Sequence, residues 1–129
     1  MNSDQLVQMA ADARLKAYAP YSNFKVGAAL RVATGEVFIG CNVENVSYGL
    51  TMCAERVAVG SAIQAGATEF NELALVTDSA EPVVPCGACR QVLAEFSPDL
   101  AIISRTVSGV SAEFTLGTLF PKPRQGILG

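Results

Sequence analysis

The sequence contains no histidine. That absence excludes every mechanism built on an imidazole base, Ser-His and Cys-His nucleophilic sites among them. Basic residues are few and scattered, nine Lys and Arg against twelve Asp and Glu, for a formal charge of −3. A protein that grips a phosphate backbone ordinarily gathers its cations on one face, so a small neutral substrate suits this chain better. The apolar stretches break well short of a membrane-spanning length, and no transmembrane helix is expected. The opening residues carry Asp4 and Asp12 and lack a basic region followed by a continuous apolar run, which argues against a secretory signal. A soluble cytoplasmic protein is the expectation.

Half of the residues are hydrophobic, enough for a core without disulfides and too many for a disordered chain. The 129 residues are read as one domain, 1–129, with a tail from about residue 121 onward. The chain has four cysteines, Cys41, Cys53, Cys86 and Cys89. In a reducing compartment structural disulfides are disfavoured, and metal binding or catalysis gains weight.

Residues 3–18 place Leu6, Met9, Ala10, Ala13 and Ala17 three and four apart, the spacing of one apolar helical face. Ser3 is the expected cap and Pro20 the stop. Val26, Ala28, Leu30 and Val32 alternate with their neighbours as a strand does, and Thr34-Gly35 signals a turn into a returning strand over residues 37–41. Residues 42–52 read as a loop. Residues 53–65 read as a helix ended by Gly66, apolar around most of its circumference after Arg56 and so expected to be buried. A short strand over 73–77, a helix over 86–96 and strands over 100–104 and 112–116 complete the pattern. Strands alternating with helices predict an α/β sheet, and the opening hairpin makes that sheet mixed.

The informative motif is Cys53-Ala54-Glu55-Arg56 followed by Pro85-Cys86-Gly87-Ala88-Cys89-Arg90. Cys86 and Cys89 lie three apart at a predicted helix start, so both sulfurs can address one ion. Cys53 also begins a predicted helix, and the partial positive charge of a helix N-terminus favours the thiolate that binds metal. Three thiolates suit Zn²⁺ and leave a fourth tetrahedral position for water, the mark of a catalytic rather than a structural site. Water held there is acidified, and the carboxylate of Glu55, two residues from one ligand, is placed to carry its protons.

Plainer readings stand beside this one. A C-x-x-C pair also serves in structural zinc half-sites and redox centres. Cys41 is a candidate fourth ligand for a closed site, or a buried inert cysteine sharing the parity of Val37 and Ile39. A glutamate in the first turn of a helix is ordinarily a dipole partner.

Taken together, these residues carry the zinc nucleobase-deaminase signature, a Cys or His, one residue, a Glu, and later Pro-Cys-x-x-Cys. More narrowly, AYAPYSNFKVGAAL (residues 17–30), GCNVENVSYGLTMCAERVA (40–58) and PCGACRQVLAEF (85–96) resemble the small, homotetrameric, three-cysteine type of the cytidine and deoxycytidylate deaminase family. The resemblance implies a three-layer α/β/α fold with a five-stranded mixed sheet. It implies a pyrimidine-salvage enzyme with one Zn²⁺ per subunit, held by Cys53, Cys86 and Cys89. The implied reaction is hydrolysis of cytidine and deoxycytidine to uridine and deoxyuridine, water attacking C4 at the zinc and Glu55 shuttling protons until ammonia leaves.

The same resemblance implies that Asn42 and Glu44 bind the ribose hydroxyls, that Phe24 packs beside the nucleoside, that the Ala54 backbone contacts the base, and that Tyr48 reaches in from a neighbouring subunit. Polar residues such as Asn42 and Glu44 also commonly satisfy loop backbone, and a Phe near a strand start is often core. Zinc with three thiolates forms a net negative centre, which weakens its hold over water unless something positive compensates. Arg56 is the candidate for that charge tuning; Arg90 is a weaker second that reads equally as a solvated or structural arginine. One departure lies at the C-terminus, where relatives place an aromatic that stacks on the base and this chain has Arg124. A guanidinium can stack on a base. Competing readings are a deaminase of modified nucleosides or nucleoside antibiotics, and a structural zinc module with no role for Glu55. Nucleic acid and membrane partners are not expected.

Overall fold

The computed structural model describes residues 2–124. Five strands, β1 (Val26–Val32), β2 (Val37–Cys41), β3 (Phe70–Thr77), β4 (Ala101–Thr106) and β5 (Ser111–Thr115), form one sheet in the order β2-β1-β3-β4-β5. The β3–β4 pair is parallel and the other three pairs are antiparallel, so the sheet is mixed as expected.

Helix α1 (Ser3–Arg14) lies on one face of the sheet, where Leu6, Val7 and Ala10 pack on Ala29, Ala74, Val76 and Ile103. Helices α2 (Ala54–Gln64) and α3 (Gly87–Phe96) cover the other face. There Ala54, Ala58, Val59, Ala62, Leu93 and Ala94 meet Ala28, Leu30, Val32, Leu73, Leu75 and Ile102. These are the three layers of an α/β/α fold. Strand β1 is buried on both faces, with Ala28, Ala29 and Leu30 all fully covered. The alternation read from its sequence therefore sorts side chains between two cores and not between core and water.

Two approaches of helix to sheet are closer than any side chain allows. A Cβ on Gly27 would stand 1.9 Å from the Ala10 carbonyl oxygen of α1, and one on Gly40 would stand 2.4 Å from the Ala54 carbonyl oxygen of α2. Glycine at these positions lets each helix lie directly on the strands.

Several boundaries differ from expectation. Helix α1 stops at Arg14 because Tyr18 is drawn out of the helix, its backbone donating to Asn42 O at 3.0 Å and accepting from Glu44 N at 2.8 Å. Asn2, not Ser3, caps it, in a reciprocal capping box with Gln5. Ser3 instead donates to Glu72 Oε2 at 2.8 Å, whose other oxygen accepts from Arg31 at 3.0 Å. Helix α2 is not buried all round: Ala58, Val59 and Ala62 face the core, while Gly60, Ser61, Ile63 and Gln64 are exposed. A 3-10 turn (Tyr48–Leu50) interrupts the loop over 42–52, and a one-turn helix α4 (Leu116–Leu119) follows β5. Of the expected tail, residues 125–129 lie outside the described residues. Among the described residues, no helix is long and apolar enough to cross a membrane.

Candidate metal centre

Cys53 and Cys86 are each the residue immediately before a helix, with extended ψ angles of 153° and 168°. Neither makes a side-chain capping hydrogen bond, which frees both sulfurs for other work. Cys89 lies one turn into α3 and is fully buried. The three sulfurs lie within 4.8 Å of one another, with Cys53 and Cys86 3.8 Å apart. Sulfurs bound to one tetrahedral zinc at about 2.3 Å are separated by about 3.8 Å, so the trio fits Zn²⁺ with little movement. All three are free thiols. Among the described residues no fourth Cys, Asp or Glu joins the cluster, so the arrangement is open on one side. Cys41 stands apart from it: Gly40 faces α2, and strand alternation turns Cys41 to the α1 side of the sheet.

The electrostatics favour a thiolate at Cys53. Its thiol is pushed down to about 5, chiefly because Cys89 donates a hydrogen bond to it, with Arg56 and Cys86 adding to the effect. Cys89 is pushed up correspondingly, since the hydrogen bond it donates to the Cys53 sulfur holds its own proton in place and burial adds to the effect. Arg56 donates from Nη2 to Cys53 Sγ at 3.4 Å and to Thr51 O at 3.4 Å. Its Nε is buried and finds no acceptor of its own. The expectation that Arg56 faces the sulfurs therefore matches the geometry. Arg90 does not: its donors go to the carbonyls of Pro85 and Leu119.

Glu55 lies on the first turn of α2 and is buried, 6% exposed. Burial raises its carboxyl to about 7, and the neighbouring Cys53 thiolate raises it further, against the pull of its own backbone N–H and of Arg56. Its side chain meets that of Cys89. A carboxyl tuned to neutrality beside three sulfurs can both accept and release a proton near pH 7. Ala54, fully buried, fixes the helix start between Cys53 and Glu55.

The remaining expected site residues form a second group around residues 21–26. Asn42 and Glu44 are both buried, and both hold that segment. Asn42 donates to Phe24 O at 2.7 Å and accepts from Val26 N at 2.9 Å. Glu44 Oε1 accepts from Tyr21 N at 2.9 Å and Ser22 N at 3.1 Å, and Oε2 accepts from the Ser22 hydroxyl. These bonds, led by the Ser22 hydroxyl, hold the Glu44 carboxyl below its usual range. Ser22 Oγ also accepts from Phe24 N at 3.0 Å, tying Glu44 to the backbone of the aromatic residue. Ser22 was not legible as a site residue. Its only sequence signal is its place before Asn23, which turns the chain with φ 59°. Phe24 is partly exposed, and Tyr48, on the 3-10 turn, is exposed at 76%. A cleft of about 490 Å³ along β4 and β5, lined by Glu72, Ile103, Glu113 and Thr115 among others, contains none of these groups.

Residues 1–104 match the cytidine and deoxycytidylate deaminase zinc-binding region. The chain is 46% identical over 122 residues to a cytidine deaminase of Halalkalibacterium halodurans, covering 94% of this chain and 92% of that one. It is 43% identical over 122 residues to a cytidine deaminase of Sporosarcina psychrophila, at 94% and 90% coverage. Its fold superposes with a TM-score of 0.93 on a crystal structure of cytidine deaminase from Burkholderia pseudomallei, 49% identical, covering 96% of this chain and all of the other. The sulfur triad thus sits inside the matched zinc-binding region, and the chain belongs to the cytidine and deoxycytidylate deaminase family.

Proposed function

We propose that the protein hydrolyses cytidine and deoxycytidine to uridine and deoxyuridine, releasing ammonia, and so serves pyrimidine salvage in the cytoplasm as one domain, 1–129. The observation that carries this reading is the neutral-range carboxyl of Glu55 against three convergent sulfurs. Cys53, Cys86 and Cys89 would hold zinc, which would supply an acidified water as the nucleophile for C4 of the ring. Glu55 accepts the proton of that water and delivers it to N3 of the pyrimidine. It then takes the proton of the hydroxyl newly attached to C4 and passes it to the amino group, which leaves as ammonia. Arg56 offsets the negative charge of the thiolates through Cys53.

Asn42 and Glu44 present their remaining hydrogen-bonding capacity to the two sugar hydroxyls while their other bonds fix the loop that carries Phe24. Such paired polar recognition favours nucleosides over the free base, because a missing hydroxyl leaves buried groups unpaired. The Ala54 backbone, between Cys53 and Glu55, contacts the base in this reading. Tyr48 extends from the chain and completes the site of a neighbouring subunit in a homotetramer. Exposed Val46, Leu50, Met52 and Ile63 on the same loop and on α2 supply apolar surface for that association.

The test is to measure zinc content and the ultraviolet change on adding cytidine to the same purified sample, with deoxycytidine and free cytosine alongside. Conversion of both nucleosides and not of the base is expected. Zinc-replete protein that releases no ammonia from cytidine overturns the reading. Sedimentation of the same sample reports the assembly.

A further inference from the structure

Helix α3 touches the C-terminal segment through two consecutive side chains. Arg90 Nε donates to Pro85 O at 2.8 Å, and the same guanidinium reaches Leu119 O through Nη1 at 3.3 Å. Gln91 Nε2 donates to Arg124 O at 2.8 Å. Pro85 is fully buried and is the residue immediately before Cys86. Its carbonyl precedes α3 and lies outside the helical ladder, so Arg90 is what satisfies it. Leu119 is the last residue of α4, which packs through Leu116 into the core that α2 and α3 share.

We propose that Arg90 and Gln91 clamp the C-terminal segment onto the metal helix, and that Arg90 is a positioning residue for Cys86. The planar guanidinium bridges two carbonyls in a fixed spacing, which a flexible ammonium cannot reproduce. Cys86 is the most exposed of the three cysteines. The bond to Pro85 sets where its backbone begins, and the bond to Leu119 ties that setting to residues 116–124. The C-terminal segment and the ligand loop then shift together. The clamp also explains why Arg90, though adjacent to Cys89, does not serve the sulfurs: its donors are committed to backbone oxygens. The part concerning Cys86 rests on the reading of the three cysteines as zinc ligands.

The clamp is tested on the full-length protein with two readouts. The first is zinc release to a chromogenic chelator. The second is trypsin cleavage between Arg124 and Gln125, whose scissile carbonyl is the oxygen that Gln91 holds; Lys122 precedes Pro123 and is not a competing site. Gln91→Leu, at an exposed position, is expected to speed cleavage at Arg124 about fivefold, the scale of one lost hydrogen bond, and to leave zinc release unchanged. Arg90→Ala is expected to speed both, zinc release by about tenfold or more. Arg90→Lys, which can reach one carbonyl only, should fall between. Leu6→Ala, destabilising through the α1 core, is the control and should speed neither well below its melting temperature. Wild-type zinc release in both Arg90 variants overturns the positioning role. Unchanged cleavage in Gln91→Leu and Arg90→Ala overturns the clamp, as does equal acceleration by Leu6→Ala. Wild-type protein that binds no zinc overturns the metal reading and Arg90's part in it, while the cleavage readout still decides the clamp.

Discussion

Gly40 and Ala54 touch backbone to backbone: a Cβ on the glycine would lie 2.4 Å from the Ala54 carbonyl oxygen and 2.6 Å from the Ala58 nitrogen. The first turn of α2, which carries Cys53 and Glu55, is therefore seated by β2. Gly40→Ala must push that turn off the sheet, at a cost of about 1–3 kcal/mol or more, and should weaken zinc binding as well as lower the melting temperature. Gly27→Ala makes an even closer clash, but against α1, which holds no ligand. It should melt early and still bind zinc normally. Melting curves with zinc titrations on both variants separate the two effects.

Glu55→Gln keeps the size of the side chain and removes its ability to move protons. Zinc content should stay at the wild-type level, because the cluster is made of sulfurs alone. Turnover of cytidine should fall by about 10²- to 10⁴-fold, the usual contribution of a positioned acid–base group. Metal analysis beside steady-state rates checks both halves of this expectation.

The metal-free protein should show the cost of burying Glu55. Its carboxyl ionises at about 7 in the fold and near the ordinary 4.5 when unfolded. Between those two values the folded state holds the extra proton, so stability falls as pH rises through the window and levels off above it. Full ionisation against this burial corresponds to roughly 3 kcal/mol. Chelator-treated Glu55→Gln should therefore gain on chelator-treated wild type as pH rises from about 4.5 to 7, and match it at pH 4. Paired denaturation curves across that range measure the difference.

Arg56→Ala removes the donor to Cys53 Sγ and a contributor to its depressed ionisation. Zinc affinity or turnover should drop by about 10- to 100-fold. Arg56→Gln retains a neutral donor and should recover only part of the loss. Wild-type zinc retention and rates in Arg56→Ala would take Arg56 out of the site.

The chemistry was more legible in the sequence than the fold that delivers it. Cys53, Glu55, Cys86 and Cys89 stand out because metal chemistry restricts residue type and spacing together. The helices expected from Cys53 and Cys86 begin one residue later, at 54 and 87, with each cysteine as the residue before the first turn. Strand β1 was located correctly, but its two-sided burial was not visible, since small residues such as Ala28 and Ala29 read alike on either face. The end of α1 was placed too late because the competitor for Tyr18 lies at residues 42–44, far along the chain. Arg90 reads from sequence as a weaker candidate for charge compensation at the sulfurs or equally as a structural arginine, and the second is what the structure has. Its actual acceptor at Leu119 is 29 residues away and belongs to a one-turn helix with no periodic signal. Asn42 and Glu44 were expected on the sugar, and their bonds to residues 21–26 show a supporting role that no local spacing encodes.

Cys53 and Cys86 occupy the positions where a hydroxyl or carboxylate commonly seals the exposed amides of a helix, and neither does so. An ion held by both would act as a common rivet for two otherwise unfinished helix ends. Stripping it should loosen both at once, so that amide exchange quickens around Glu55 and around Ala88 together while the sheet beneath them stays protected.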